Sequence, residues 1–156
     1  MNKAEIKTVI NELGLKNEKY FIYMSGALVI MNIKESANDL DIGITDRLLF
    51  EDLKERYNLK EIYSLLNDKK IELKINNFKI EIFLKEDDYD YNRIDGIKCQ
   101  KLSDIIDMKQ KLGRRKDIDD LEIINDFRNN INNKLNEKDG QMICNSYKEE
   151  LLNLIR

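Results

Sequence analysis

The segment that most restricts the fold is residues 69–85, KKIELKINNFKIEIFLK, in which apolar and polar residues alternate on both sides of Asn76 and Asn77. Alternation with a period of two is typical of a half-buried strand, and two Asn residues between such runs favour a tight turn. The segment therefore predicts a β-hairpin. Because helical patterns occur before and after it, we expect an α/β (α+β) protein.

The other segments predict a mixture of helices and strands in the first two-thirds and helices in the last third. Apolar residues with helical spacing favour helices over 3–14, 46–58, 103–113, 116–132 and 143–156. Residues 27–33 are ambiguous by periodicity, and their place between two predicted strands favours a short buried helix. Aromatic and β-branched runs favour strands over 19–24, 38–45 and 61–65. We expect Asp46 and Ser103 to cap their helices, and we interpret residues 86–96 as an acidic loop and 132–141 as a polar linker.

The length and composition indicate one domain, 1–156, with a mixed core over 1–98 and C-terminal helices over 99–156 packed on it. The chain has no histidine, which excludes Ser-His-Asp and Cys-His catalysis and histidine metal sites. Cys99 and Cys144 are far apart without a CxxC spacing, so we interpret both as reduced thiols. Without proline, the turns must rely on Gly, Asn and Asp.

Two acids interrupt the predicted strand NDLDIGIT, and their spacing places them on one face. Side chains alternate along a strand, so Asp39 and Asp41 share a face, with Leu40, Ile42 and Ile44 on the other. Adjacent carboxylates repel unless a cation is supplied, and Mg²⁺ is the usual oxygen-bound cation, with Mn²⁺ as a substitute. The alternative is that both aspartates face water on an edge strand.

A third acid strengthens the metal interpretation. Glu81 lies between Ile80 and Ile82 in the second strand of the predicted hairpin, on the opposite face from both. If this strand neighbours the one with Asp39 and Asp41, three carboxylates converge, and such a cluster can bind two divalent ions. The alternative is a solvent-facing residue of a hairpin.

A calcium-binding loop does not fit the sequence. An EF-hand beginning at Asp39 would need Gly at position 44 and Glu at position 50, where this chain has Ile44 and Phe50. The acidic loop over 86–96 also lacks Gly at the sixth position from any of its aspartates.

These residues resemble the signature of the nucleotidyltransferase superfamily. The segment MSGALVIMNIKESANDLDIGIT, followed by IEIF, resembles its small-residue turn, acid-hydrophobic-acid strand and later third acid. The segment LSDIIDMKQKLGRRKDIDDLEII is similar to one in small bacterial members related to abortive-infection toxins. The matches span residues 20–124. The family usually has Gly followed by Gly or Ser where this chain has Ser25-Gly26, and many members have Asp where it has Glu81.

The resemblance implies a mixed sheet flanked by helices and transfer of a nucleoside monophosphate from an NTP to a hydroxyl or phosphate, with release of pyrophosphate. It implies that Asp39 and Asp41 hold Mg²⁺, and that Glu81 completes the metal site or takes the acceptor's proton. Ser25 and Gly26 would then lie against the triphosphate. Close backbone approach to phosphate requires small residues, which agrees with this interpretation.

A basic cluster around Gly113 is a further candidate for nucleotide binding. Lys109, Arg114 and Lys116 could neutralise the triphosphate or the leaving pyrophosphate. Alternatively, cations near a helix C-terminus are favoured by the helix dipole. Asp117 likewise has the spacing of an acidic cap for the next helix.

The sequence leaves the acceptor open: a small molecule, a tRNA end or a protein. A net charge of −3 argues against general affinity for nucleic acid or an anionic membrane. With neither a signal-peptide core nor a membrane-length apolar run, we expect a cytoplasmic protein. We expect the acceptor to lie either against the C-terminal helices or against a partner subunit, in a homo-oligomer or a complex with a partner protein. The alternative function is an inactive domain of the same fold, an antitoxin-like partner or a nucleotide sensor.

Overall fold

The computed structural model describes residues 1–16, 19–86 and 90–136, with the side chains of the last helix as far as residue 133. Cys144 and the predicted helix over 143–156 lie outside the described residues. The chain forms two compact units, of which the first is Met1–Gln100 and the second begins at Lys101. This boundary lies close to the expected one at residue 98. The expected packing of the C-terminal helices on the core stays a prediction.

The described residues of the first unit form three helices and seven strands. The helices are α1 (Lys3–Glu12), α2 (Met24–Ile30) and α3 (Arg47–Arg56). The strands are β1 (Tyr20–Tyr23), β2 (Asp39–Ile44), β3 (Ile62–Tyr63), β4 (Lys69–Ile75), β5 (Phe78–Leu84), β6 (Tyr91–Ile94) and β7 (Ile97–Gln100).

The seven strands form one mixed sheet in the order β3-β4-β5-β2-β1-β7-β6. β2 pairs in parallel with β5 and antiparallel with β1, so it lies at the centre of the sheet. The alternative interpretation of β2 as an edge strand is therefore wrong. The α+β fold class predicted from the sequence is confirmed.

Local sequence signals explain the helix boundaries of the first unit. Asn2 and Glu5 form a capping box at the start of α1, because each side chain accepts a hydrogen bond from the other residue's backbone N–H. The Asp46 carboxylate accepts from the Leu48 N–H, as expected of the cap of α3. α2 begins at Met24, so Ser25 and Gly26 belong to its first turn rather than to a turn before it.

The hairpin over 69–85 is confirmed as β4 and β5, with Asn76 and Asn77 at φ 51° and 68°. Positive φ at both residues is the conformation of a type I′ turn, which Asn tolerates. The expected acidic loop over 86–96 is partly wrong, because β6 and β7 form a second hairpin around Asp95 and Gly96. Residues 87–89 lie outside the described residues.

The described part of the second unit is a pair of helices, α4 (Leu102–Leu112) and α5 (Arg115–Asn136). Gly113 ends α4 in the left-handed conformation at φ 59°, as predicted. The expected cap at Ser103 is wrong, because Ser103 lies inside α4 and the N-cap is Lys101. The helix α5 continues to Asn136, so the first half of the expected linker over 132–141 is helical.

Among the described residues, no helix combines the length and the apolar character needed to cross a membrane.

Candidate active site

The three acids predicted from the sequence meet on one face of the central strands. Leu40, Ile42 and Ile44 are fully buried, and Asp39 and Asp41 are half-buried on the opposite face of β2. In the parallel pair of β2 and β5, Asp41 lies directly beside Glu81. Side chains at directly paired positions point to the same face, so β5 neighbours β2 as the convergence of these acids requires.

Two lysines of the hairpin contact the third acid. The Lys70 ammonium lies 2.6 Å from Oε1 of Glu81 and 2.8 Å from Oε1 of Glu72, which is the residue opposite Glu81 on β4. The Lys79 ammonium lies 3.3 Å from the same oxygen of Glu81 and 3.4 Å from Glu72. The Lys70 and Glu81 side chains are only 14% and 13% exposed, so this pair is largely removed from water.

The contact keeps both partners charged. Burial works to raise the pKa of Glu81, but the hydrogen bond and the positive charge of Lys70 outweigh burial and hold that pKa below its usual range. Burial likewise works to lower the pKa of Lys70, and the carboxylates of Glu72 and Glu81 outweigh it and raise that pKa. Glu81 is therefore a carboxylate neutralised by an ammonium of the same sheet.

The aspartate pair fits a divalent cation by its chemistry. Carboxylate oxygens are the ligands that Mg²⁺ prefers, and Asp39 and Asp41 lie about 7 Å apart along one face at the rise of a strand. Within residues 1–16, 19–86 and 90–136, no three acidic, thiol or imidazole side chains are placed so that they could hold one metal ion. The position of Glu81 on β5, beside Asp41, would suit a metal site shared with the aspartates. The Glu81 carboxylate, however, contacts the Lys70 ammonium.

The junction of β1 and α2 has an unusual backbone. Met24 has φ 57°, the left-handed conformation that favours glycine, so the position here that glycine would suit is Met24 rather than Ser25. The Met24 N–H donates to Oε1 of Gln100 at 3.1 Å, and Gln100 is buried at the end of β7. Gln100 thereby fixes the backbone at Met24, the residue at which α2 begins.

Gly26 is required by packing. A Cβ at this position would lie 2.7 Å from Cδ1 of Leu40 and 3.1 Å from Cγ2 of Ile22, because α2 lies directly on the sheet. This contact places α2 on the apolar face of the sheet, opposite Asp39 and Asp41. Packing therefore explains why this position is glycine. The contact of Gly26 with a phosphate stays a prediction.

Aromatic side chains lie beside the acids on the same face. A Cβ on Gly43 would lie 2.2 Å from two ring atoms of Phe21, so the ring occupies the space of the missing side chain. The Phe21 ring also contacts Tyr23 and Tyr91, at centroid distances of 5.5 Å and 4.6 Å. The ring of Phe21 thus packs directly against the strand that carries Asp41.

In the second unit, two of the three predicted cations, Lys109 and Arg114, take part in ion pairs. Lys109 is 1% exposed and lies 2.8 Å from Asp120 and 3.5 Å from Asp117. The Asp117 carboxylate also accepts from the backbone N–H and the guanidinium of Arg114. Burial works to raise the pKa of Asp117, but Arg114 and then Lys109 hold it below its usual range. Lys116 is exposed in the first turn of α5.

Sequence reasoning missed two residues of this region. The contact of Lys70 could have been predicted from the sequence. Both strands of the hairpin contain a Lys followed two positions later by a Glu, and the hairpin register places these two patterns side by side. Gln100 has no such signal, because its partner Met24 is 76 positions away and only the sheet order brings them together.

No family model and no curated protein matches the sequence. Among solved structures, the chain is similar to a protein from Thermotoga maritima described as a "putative nucleotidyltransferase". The identity is 19% and the TM-score 0.55, over 78% of this chain and 93% of that one. The likeness shows that the chain has the same fold as that protein.

Proposed function

We propose that the protein is a metal-dependent nucleotidyltransferase that moves a nucleoside monophosphate from an NTP to a hydroxyl or phosphate acceptor. The observation that carries the proposal is the register of β2 and β5, which sets Glu81 beside Asp41 on the face shared with Asp39. The fold shared with the Thermotoga maritima protein supports it.

In this proposal, Asp39 and Asp41 hold Mg²⁺ or Mn²⁺ together with the triphosphate. The bound ion supplies positive charge to the phosphates and to the leaving group. Ser25, in the first turn of α2, contributes a hydroxyl and a backbone N–H to the phosphates, and Gly26 contributes a second N–H. Lys109, Arg114 and Lys116 remain proposed nucleotide contacts. Of the three, Lys116 is exposed, whereas Lys109 is buried against Asp117 and Asp120.

The proposed reaction is a displacement at the α-phosphorus. The acceptor oxygen forms a bond to this phosphorus while the bond to the oxygen that bridges the α- and β-phosphates breaks, and pyrophosphate leaves with that electron pair. The acceptor's proton passes to the Glu81 carboxylate, which Lys70 keeps ionised and fixed in direction. The choice of acceptor (a small molecule, a tRNA end or a protein) depends on surfaces outside the sheet.

A label-transfer assay tests the proposal. The native chain is mixed with Mg²⁺, each NTP labelled at its α-phosphate, and separate pools of small hydroxyl compounds, tRNA and protein. We expect label in one pool with the native chain and none with Asp41→Asn, which keeps the size of the side chain and removes its charge. Equal transfer by both chains would contradict the proposal.

A second candidate is a binding protein of the same fold without catalysis, such as a nucleotide sensor or an antitoxin-like partner. The observation that favours it is the engagement of Glu81 by Lys70 and Lys79. Such a protein would bind an NTP without releasing pyrophosphate. Nucleotide binding by the native chain with no label transfer to any pool would support this candidate.

A further inference from the structure

The lysine–glutamate cluster, formed by Lys70, Glu72, Lys79 and Glu81, follows from the register of the hairpin. Glu72 lies directly opposite Glu81, and two like charges at such positions repel. Lys70 lies two positions before Glu72 on β4, and Lys79 two positions before Glu81 on β5. Each ammonium therefore reaches both carboxylates, at 2.6 to 3.4 Å.

The cluster is electrically complete without a metal ion. It contains two positive and two negative charges, and the oxygen of Glu81 nearest to Lys70 is also the one nearest to Lys79. A divalent ion on this carboxylate would share it with two ammonium groups and be repelled by both. Because Lys70 is only 14% exposed, water screens this repulsion weakly.

Asp39 and Asp41 of β2 lie next to the cluster in the sheet. Asp39 and Asp41 come from a single strand, and each faces a different residue of β5: Asp39 lies beside Lys79 and Asp41 beside Glu81. Thus Glu81 is the point at which the cluster meets the proposed metal site. On this side of the proposed metal site, the Lys70 ammonium contacts the Glu81 carboxylate.

We propose that Lys70 takes the place of one of the two divalent ions that three such carboxylates can hold, so that the site binds a single ion on Asp39 and Asp41. The inference rests on the proposed function. Lys70 is then a positioning residue: it neutralises and orients Glu81, which leaves the carboxylate to receive the acceptor's proton rather than to bind metal. Lys79, more exposed and farther from Glu81, supports the same role.

The number of bound ions tests this inference without reference to activity. Mn²⁺ alone is titrated into the native full-length chain, and free Mn²⁺ is followed by electron paramagnetic resonance. We expect one ion per native chain and one for Lys70→Arg, which keeps the charge. We expect a second ion for Lys70→Met and for the Lys70→Met/Lys79→Met double variant. Circular dichroism verifies that each variant is folded.

Lys74→Met is the matched control, since Lys74 lies on the same strand and face as Lys70 but is exposed. It removes the same charge and should bind one ion. Two ions in the native chain, or one ion in the double variant, would overturn the inference and leave the proposed function standing. If Mn²⁺ does not bind to the native chain, or binds equally to Asp41→Asn, the proposed metal site itself is wrong.

Discussion

Replacement of Gly43 by alanine tests the packing beside the acids most sharply. The new Cβ would lie 2.2 Å from Cε1 and Cζ of Phe21. A carbon–carbon contact needs about 3.5 Å, so the ring must move by more than about 1 Å. It has little room to do so, because Phe21 is 3% exposed and already packs on Tyr23 and Tyr91.

The size of the effect follows from two opposing contributions. Overpacking a filled core costs up to about 3 kcal/mol, and we take the upper end because the ring is enclosed. Alanine in a strand is more favourable than glycine by up to about 1 kcal/mol. We therefore expect Gly43→Ala to lower the free energy of unfolding by about 2 kcal/mol, measured by urea denaturation followed by circular dichroism.

A double-mutant cycle identifies the cause of this loss. Leucine at position 21 lacks the two ring atoms that the new Cβ would meet, so Gly43→Ala should cost little in a Phe21→Leu background. The two substitutions should then show a coupling of roughly 2 kcal/mol. Strictly additive effects, or a Gly43→Ala variant as stable as the native chain, would refute the reasoning.

Three further substitutions have defined expectations. Lys109→Met leaves two buried aspartates without their shared cation, and we expect it to lower the free energy of unfolding by about 3 to 5 kcal/mol in urea denaturation. Burial raises the pKa of Cys99 to about 12, so in a Cys144→Ser background this thiol should not react with a disulfide reagent at about pH 8 until urea unfolds the chain. Asn77→Gly removes a left-handed Asn from the type I′ turn and should raise the free energy of unfolding by up to about 1 kcal/mol in the same denaturation assay.

Each of these expectations has a contradicting result. A Lys109→Met variant of native stability would show that the buried cation contributes nothing net, and a less stable Asn77→Gly would show that the Asn side chain itself holds the turn. For Cys99, the folded pKa lies above the unfolded one, so its contribution to stability is complete below about pH 8.5 and is lost as pH rises towards 12. Rapid reaction of the folded chain at about pH 8 would contradict the burial.

The elements with a clear period were predictable from the sequence. The hairpin of β4 and β5 alternates over its whole length, and its two Asn residues supply the turn that a chain without proline needs. The faces of β2 follow directly from the same alternation, which is why Asp39 and Asp41 were placed correctly. Local pattern alone was sufficient for these features.

Other features depend on information that local pattern does not contain. The hairpin of β6 and β7 has strands of four residues each with little alternation, although Asp95-Gly96 is a recognisable turn signal. The end of α5 was hidden by a run of Asn residues, while Ile124 and Ile131, two turns apart, are both buried and show that the period continues. The order of strands, which puts β2 beside β5, is a long-range property of the sheet.

The contacts of the candidate site show the same division. The faces on which the three acids lie could be predicted from alternation. The ion pair between Lys70 and Glu81 depends in addition on the register between β4 and β5. Similarly, Lys109 was predicted as a nucleotide contact from its place near a basic turn. The structure adds that Asp117 and Asp120 surround it, because residues of α5 come to face α4.

Thermal unfolding with nucleotides tests the central claim most directly. The native chain and Asp41→Asn are heated with each of the four NTPs, with and without Mg²⁺. A ligand at about one hundred times its dissociation constant adds about 2.7 kcal/mol, or roughly 5 to 10 °C for a chain of this size. We predict a Mg²⁺-dependent rise with at least one NTP that is lost in Asp41→Asn. No rise with any NTP, or the same rise in both chains, would contradict a nucleotide and metal site at Asp39 and Asp41.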